Sequence, residues 1–406
     1  MDKLLAATTK KVSNHIYDDP AFVILSKLPL KSLIRFRCVR KSWSVLFQNS
    51  YFMDMFRRNF LSKDHSYYND TSLLLYHFAP WDDGNYEPSA LYSLFGERFE
   101  KTVKIDWPNL YQVPYYFNIY GSVSVNGIFC IEDIGRVGSI GQGCNIEELG
   151  RIALWNPATD ECKVIPPSPF PFESPCWDPL IEFHGFGYCQ GSDDYKVIRH
   201  LTFFPRTDGD REETWKDGYH ESLWEIYCLK YNSWRKLDLD MPTQFAGGAG
   251  VYTDGVCHWW GESESQNDVE VYLVSFYLNN ETFVKTSIPS NMDYIDSAIV
   301  FRHLNILNGS IGLISNYAET GTFHISILGE VGIKESWIKL FIVGPLPCVE
   351  HPIGIGKKGD IFFRKKDNEL VWFNLNTQKI EEIGFKGDSY CQILIYKESF
   401  LPFLKE

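Results

Sequence analysis

The feature that most constrains this chain is a paired unit recurring from about residue 70 onward. Its first half is a glycine turn followed by an apolar strand. Examples are "NGIFCIE" from Asn126, "HGFGYCQGSDDYKVIRH" from His184, "DGVCHWWG" from Asp254, "NGSIGLIS" from Asn308 and "KGDIFFRK" from Lys358. Its second half is a strand, a polar turn and a returning strand. Examples are "LWNPATDECKVIPP" from Leu154, "WEIYCLKYNSWRKLDL" from Trp224, "VSFYLNNETFVKTSIP" from Val274, "ISILGEVGIKESWIKLFIV" from Ile325 and "LVWFNLNTQKIEEIGF" from Leu370. Gly127, Gly185, Gly255, Gly309 and Gly359 mark the unit starts, at spacings of 58, 70, 54 and 50 residues. Strand alternation places Trp155, Tyr227, Phe276 and Trp372 on one face. Asn-Pro-Ala-Thr, Asn-Asn-Glu and Asn-Thr-Gln supply the turn chemistry between strands.

Each unit reads as two hairpins, and so as a four-stranded sheet. Repeated four-stranded sheets close into a β-propeller. A sixth, weaker unit fits "SLLLYHF" from Ser72 and "ALYSLFGERFEKTVKIDW" from Ala90. The expectation is a mainly β chain with a propeller of about six blades; five and seven are also compatible. An aromatic content of 16%, with 30 Gly and 20 Pro as punctuation, agrees with that class. Kelch blades run near ~50 residues, but the kelch-like doublet Gly247-Gly248 occurs once, so the motif itself is not repeated. Two polar insertions, 131–151 and 203–222, are long enough to be binding loops or disordered segments.

The N-terminal stretch is of another kind. Residues 21–60 carry eight basic side chains against Asp54, a net +7 that leaves −20 on the rest of the chain. Such a split predicts two modules with different tasks. Phe22, Val23, Ile24, Leu25 and Leu28 form a short apolar helix opened by Asp18, Asp19 and Pro20 and stopped by Pro29. Leu30, Leu33, Ile34, Arg37 and Cys38 recur at helical spacing. Trp43, Leu46 and Phe47 make a third short helix. Helices this short cannot enclose all their apolar groups, so some must face a partner or the second module.

Residues 24–43, ILSKLPLKSLIRFRCVRKSW, resemble the F-box of plant F-box proteins nearly position by position. The departure lies upstream, where Tyr17 stands for the opening Pro and Pro20 for an aliphatic residue. The remainder resembles the F-box-associated, kelch-like propeller domain. The matching landmarks are Leu154-Trp155-Asn156-Pro157-Ala158-Thr159, Gly185-Phe186-Gly187-Tyr188 with Asp193-Asp194-Tyr195-Lys196-Val197, His258-Trp259, Ser336-Trp337-Ile338-Lys339-Leu340 and Tyr396-Lys397-Glu398-Ser399. This resemblance implies a flexible tail at 1–17, an F-box at 18–60 and the associated propeller at 61–406. It implies a substrate-recognition subunit of an SCF-type ubiquitin ligase, with the F-box on a Skp-family adaptor, a cullin beyond it, and the propeller on a target protein. Phe22, Leu25, Leu28, Pro29, Leu33 and Trp43 are the expected adaptor-binding residues, as a helix-in-groove surface with a basic rim. The alternative is a protein-binding propeller acting outside ubiquitin ligation.

Other classes fit less well. A net charge of −13 opposes bulk affinity for nucleic acid or anionic lipid. The basic helix carries Leu33, Phe36 and Val39 but no Asn or Gln for base edges, which argues against DNA reading. Pro29 breaks the amphipathic run that a membrane-surface helix needs, and no apolar run approaches the ~20 residues of a bilayer span. The N-terminus lacks a signal-peptide pattern, and the 10 Cys form no CxxC. The thiols are therefore expected free and the location cytoplasmic or nuclear. The sequons at Asn69, Asn280 and Asn308 then read as chance matches.

Catalytic signatures are weak. Gly138-Ser139-Ile140-Gly141-Gln142-Gly143 lacks the Gly-Lys-Ser/Thr of a phosphate loop. Asp193-Asp194 sits in turn chemistry, which favours local hydrogen bonding over paired acid–base work. His258 reads as a packed imidazole, and Cys38 and Cys257 as core. No metal and no cofactor are expected. A propeller enzyme would need three or more Asp, Glu or His clustered on innermost strands, and the repeats show none at corresponding positions.

Overall fold

The computed structural model describes residues 18–62, 71–77, 89–108, 117–133, 151–169, 177–205, 221–239, 241, 244–245, 250–264, 269–289, 300–357, 359–388 and 390–404. The expected tail at 1–17 (Tyr17 included), the Gly138–Gly143 run, the Gly247-Gly248 doublet, Asn69 and most of both insertions lie outside these residues. The chain divides into two compact units, Met1–Lys63 and Asp64–Glu406.

The first unit is helical: α1 (Asp18–Leu25), α2 (Leu30–Phe36), α3 (Lys41–Ser44) and α4 (Ser50–Ser62), with a short 3-10 turn at Leu46–Gln48. Pro20 sits in the first turn of α1, where a missing N–H costs nothing. Pro29 is extended and lies immediately before α2. The expected third helix is split into α3 and the 3-10 turn. The expectation of three helices also omitted α4, the longest. Asn49 Oδ1 accepts the Phe52 N–H at 3.0 Å, capping its start. Phe52, Phe56 and Phe60 recur at a spacing of four and form one face, with Phe52 and Phe56 stacked at 6.1 Å. That face meets Phe22 edge-on at 5.6 Å from Phe52, while Leu33 and Leu46 are fully buried.

The second unit is built of antiparallel hairpins. The strands are β1 (Thr71–His77), β2 (Ala90–Phe95), β3 (Lys101–Ile105), β4 (Phe117–Val125), β5 (Ile128–Asp133), β6 (Arg151–Asn156) and β7 (Glu161–Val164). Next come β8 (Trp177–Cys189), β9 (Asp194–Pro205), β10 (Glu221–Cys228) and β11 (Ser233–Leu237), a four-stranded sheet. A five-stranded sheet holds β12 (Gln244–Phe245), β13 (Val251–Thr253), β14 (Val256–Glu264), β15 (Val269–Tyr277) and β16 (Thr282–Ser287). Two four-stranded sheets follow: β17 (Val300–Leu307), β18 (Ser310–Tyr317), β19 (Thr322–Leu328) and β20 (Trp337–Val343), then β21 (Val349–Ile355), β22 (Ile361–Lys365), β23 (Glu369–Asn374) and β24 (Lys379–Lys386).

The last strand, β25 (Gln392–Lys397), returns to the beginning. It pairs antiparallel with β1 and joins β4 through a single parallel pair, Ile395 with Val123. The sheet β3-β2-β1-β25 thus continues into β4-β5-β6-β7. First strands contact one another in a closed cycle, from β25 to β4, β8, β13, β17, β21 and back to β25. Apolar layers fill the gaps between neighbouring sheets. Trp155 and Leu394 share one layer, Tyr227 and Phe186 another, and Trp259 and Trp224 a third. The chain is mainly β, and its sheets are arranged as in a propeller.

Turn chemistry explains the repeat. Asn126-Gly127, Asp254-Gly255 and Asn308-Gly309 each put two consecutive residues at positive φ. Each is a two-residue loop between first and second strands, where the twist of paired strands favours that geometry. Gly185 departs from the expected role. It lies inside β8 beside a bulge, and a Cβ there would stand 2.7 Å from the Cys257 Cβ of the next sheet. This glycine admits a neighbour rather than making a turn. In β23 the position equivalent to Trp155, Tyr227 and Phe276, one before the last paired residue, is Phe373 and not Trp372.

Candidate functional site

The helical unit exposes a set of apolar side chains different from the one expected. Phe22, Leu25 and Leu33 are buried. They pack in the core that holds the helices. Leu28 and Trp43 are half-buried and Pro29 is exposed. The outward apolar side chains are Val23, Ile24, Phe36, Val39, Val45 and Tyr51, with Ile24 at 59% and Val39 at 65% exposure. Lys27, Lys31, Arg35 and Lys41 are exposed in the same segments. Cys38, expected in the core, is exposed just beyond the end of α2.

On the second unit, a cavity of about 1000 Å³ opens where the turns at 126, 190–193 and 254 meet the C-terminal segment 397–404. Its wall is aromatic and firmly held. Tyr252 Oη donates to the Tyr188 carbonyl at 2.7 Å, and Tyr188 and Tyr195 rings lie 5.0 Å apart. Asn126 Nδ2 donates to Tyr195 Oη at 3.2 Å. The Tyr188 hydroxyl donates to Asp193, which pushes its pKa up to about 12; burial does the same for Tyr252. Asp194 Oδ1 accepts the Lys230 N–H at 2.8 Å, while burial raises its carboxyl pKa. The two aspartates serve separate hydrogen bonds: that of Asp193 is local, as the turn chemistry predicted, while that of Asp194 reaches a residue 36 positions away. Lys163, Lys230, Lys397, Asp254 and Glu398 add both signs of charge to the lining. Aromatic surfaces with neutral phenols and charges of both signs can bind a polar, partly aromatic ligand.

Two polar groups lie inside the sheets. Arg199 and Glu225 form a buried ion pair at 2.8 Å. Ser168 Oγ donates to Glu225 at 2.7 Å, and the guanidinium lies 3.9 Å over the Trp234 ring. Separately, Glu182, His184 and His200 converge, with one ligating atom from each within 4.8 Å of the others. Sequence reasoning missed this cluster. The signal available was Glu182-x-His184 on an innermost strand, and His200 joins it only through the β8–β9 register. His258 is buried with Nδ1 2.8 Å from Ser275 Oγ, as expected of a packed imidazole. The eight described cysteines are all free, and no described helix is long and apolar enough to cross a membrane.

A closed cycle of antiparallel sheets, with an aromatic cavity at the turn end, gives the larger unit the architecture of a β-propeller. Residues 143–401 match the family of the F-box associated beta propeller domain, and the chain belongs to that family of F-box proteins. It is 24% identical to F-box protein CPR1 of Arabidopsis thaliana over 268 residues, covering 60% of this chain and 62% of the relative. The match thus spans less than two thirds of that relative. It is also 24% identical to F-box protein At1g30790 of Arabidopsis thaliana over 408 residues, covering 92% of this chain and 90% of the relative. Among solved structures, a putative 6-phosphogluconolactonase from Bacteroides uniformis aligns with 80% of this chain and 100% of its own at a TM-score of 0.38 and 10% identity. That resemblance is too distant to bear on function.

Proposed function

We propose that this chain is the substrate-recognition subunit of an SCF-type ubiquitin ligase. The helical unit, residues 18–60, is the F-box and takes a Skp-family adaptor, with a cullin beyond it. Residues 61–406 are a six-bladed propeller that holds a target protein at the aromatic cavity. The closed cycle of first strands supports six blades, with β25 as the innermost strand of the first. The chain supplies no catalytic group; bringing target and charged ubiquitin carrier together raises their effective concentration. Its place of action is the cytoplasm or nucleus.

The observation that carries this reading is the outward apolar set of the helical unit, Ile24 and Val39 above all, flanked by exposed lysines and Arg35. A small helical unit that leaves such groups in water is completed by a partner. The test is co-purification of the full chain with a plant Skp-family adaptor. Wild type is expected to capture it and Ile24→Asp to lose it. Absence of capture by the wild-type chain would overturn the reading.

A further inference from the structure

We propose that Glu182, His184 and His200 form a divalent-metal site in the β unit, and that Zn²⁺ is the ion their donor set suits. Two imidazoles and a carboxylate are donors that zinc takes. Glu182 and His184 stand two apart on β8, and the register sets His200 of β9 opposite Glu182. Glu182 Oε2 and His200 Nδ1 are 3.5 Å apart. Tetrahedral zinc bonds of ~2.0–2.2 Å place neighbouring donors roughly 3.4 Å apart, so that edge already fits. The other two edges, each at most 4.8 Å, close toward that length when an ion binds. Glu182 is the half-exposed member and its side chain can adjust, while the two rings are buried.

His200 is fully buried and turns Nδ1 toward Glu182, so Nδ1 is the atom it offers to the ion. The Thr202 hydroxyl, 3.4 Å from His200 Nδ1, offers a further oxygen beside the cluster. Trp224 lies 4.8 Å from His200, and Trp259 lies 5.4 Å from His184. Those rings keep water out and favour a cation. An ion so placed is a structural staple that fastens β8 to β9 against the Trp259 layer of the next sheet. It does not depend on the ubiquitin-ligase reading.

The test is Zn²⁺ binding by the full chain, stripped with chelator and titrated in competition with a chromophoric chelator. One ion per chain and a higher thermal midpoint in zinc are expected. Glu182→Gln, at the half-exposed position, is expected to keep the wild-type circular dichroism and weaken binding by at least about 10-fold. His200→Ala is expected to abolish binding. X-ray absorption at the zinc edge is expected to show imidazole and oxygen neighbours, a readout that holds even if the histidine variant fails to fold. No uptake by wild type, equal uptake by Glu182→Gln, or sulfur in the zinc shell would each overturn the site.

Discussion

Asn156 Nδ2 donates to the Ser399 carbonyl at 2.7 Å, joining residues 243 apart in the chain. Asn156 follows the buried Trp155, and Ser399 lies just past β25. The same side chain accepts the Ala158 N–H at 3.0 Å and so shapes its own turn. One fully buried amide therefore fastens the closing segment to the sheet that begins with β4. Asn156→Ala is expected to cost about 1–3 kcal/mol, the penalty of leaving buried partners unmet. Chemical denaturation should show a lower midpoint with an unchanged slope.

Removal of β25 is a harsher test of the same closure. Its Ile393, Leu394, Ile395 and Tyr396 are buried and belong to two core layers. A chain ending before Gln392 would expose the inner edge of β1 as an unpaired strand. Broad unfolding by circular dichroism and aggregation by light scattering are expected. A truncated chain that melted as sharply as wild type would show that β25 does not close the ring.

These residues also show what local pattern carries. The Asn-Gly and Asp-Gly turns and the aromatic third strands were legible because turn type and strand period are local properties. The role of β25 was not, since pairing Ile395 with Val123 leaves no mark near either residue. Gly185 misled as a turn marker because a glycine also serves close approach between sheets. In the helical unit, four consecutive apolar residues, Phe22 to Leu25, give no period from which to choose a face. The structure buries Phe22 and Leu25 and turns Val23 and Ile24 outward. The Glu182–His184–His200 cluster depended on strand register, which spacing alone does not supply.

The buried Arg199–Glu225 pair supports a prediction about charge. Both side chains are at most 6% exposed, and the guanidinium stacks on Trp234. Glu225→Gln leaves an uncompensated buried cation, so a loss of about 3–5 kcal/mol is expected. Replacing both residues with apolar side chains of similar size should recover most of it. Denaturant melts of the single and double variants check this.

Stability should depend on pH through His258. Burial brings its pKa down from the ordinary 6.5 to about 3. Between those values the unfolded chain binds a proton that the folded chain refuses. The unfolded state therefore gains relative stability as pH falls, beginning near pH 6.5 and continuing toward pH 3. His258→Asn can keep the hydrogen bond to Ser275 without titrating. Melts at pH 7 and pH 5 should show a smaller acid loss for that variant than for wild type.

Leu33 and Val39 separate holding the helical unit together from presenting its surface. Leu33 is 0% exposed and Val39 is 65% exposed. Leu33→Ala removes buried methyl groups and leaves a cavity, so about 2–5 kcal/mol of helical-unit stability is expected to go. Val39→Asp changes a solvent-facing position, where substitutions usually alter stability by less than about 0.5 kcal/mol. If the outward apolar set receives the adaptor, Val39→Asp should weaken capture while leaving the melt unchanged. Leu33→Ala should lower the melt first and lose capture only as the helices unfold. Titrating adaptor against each full-length variant below its melting range distinguishes them. Undiminished capture by Val39→Asp would move the adaptor surface away from the segment after α2.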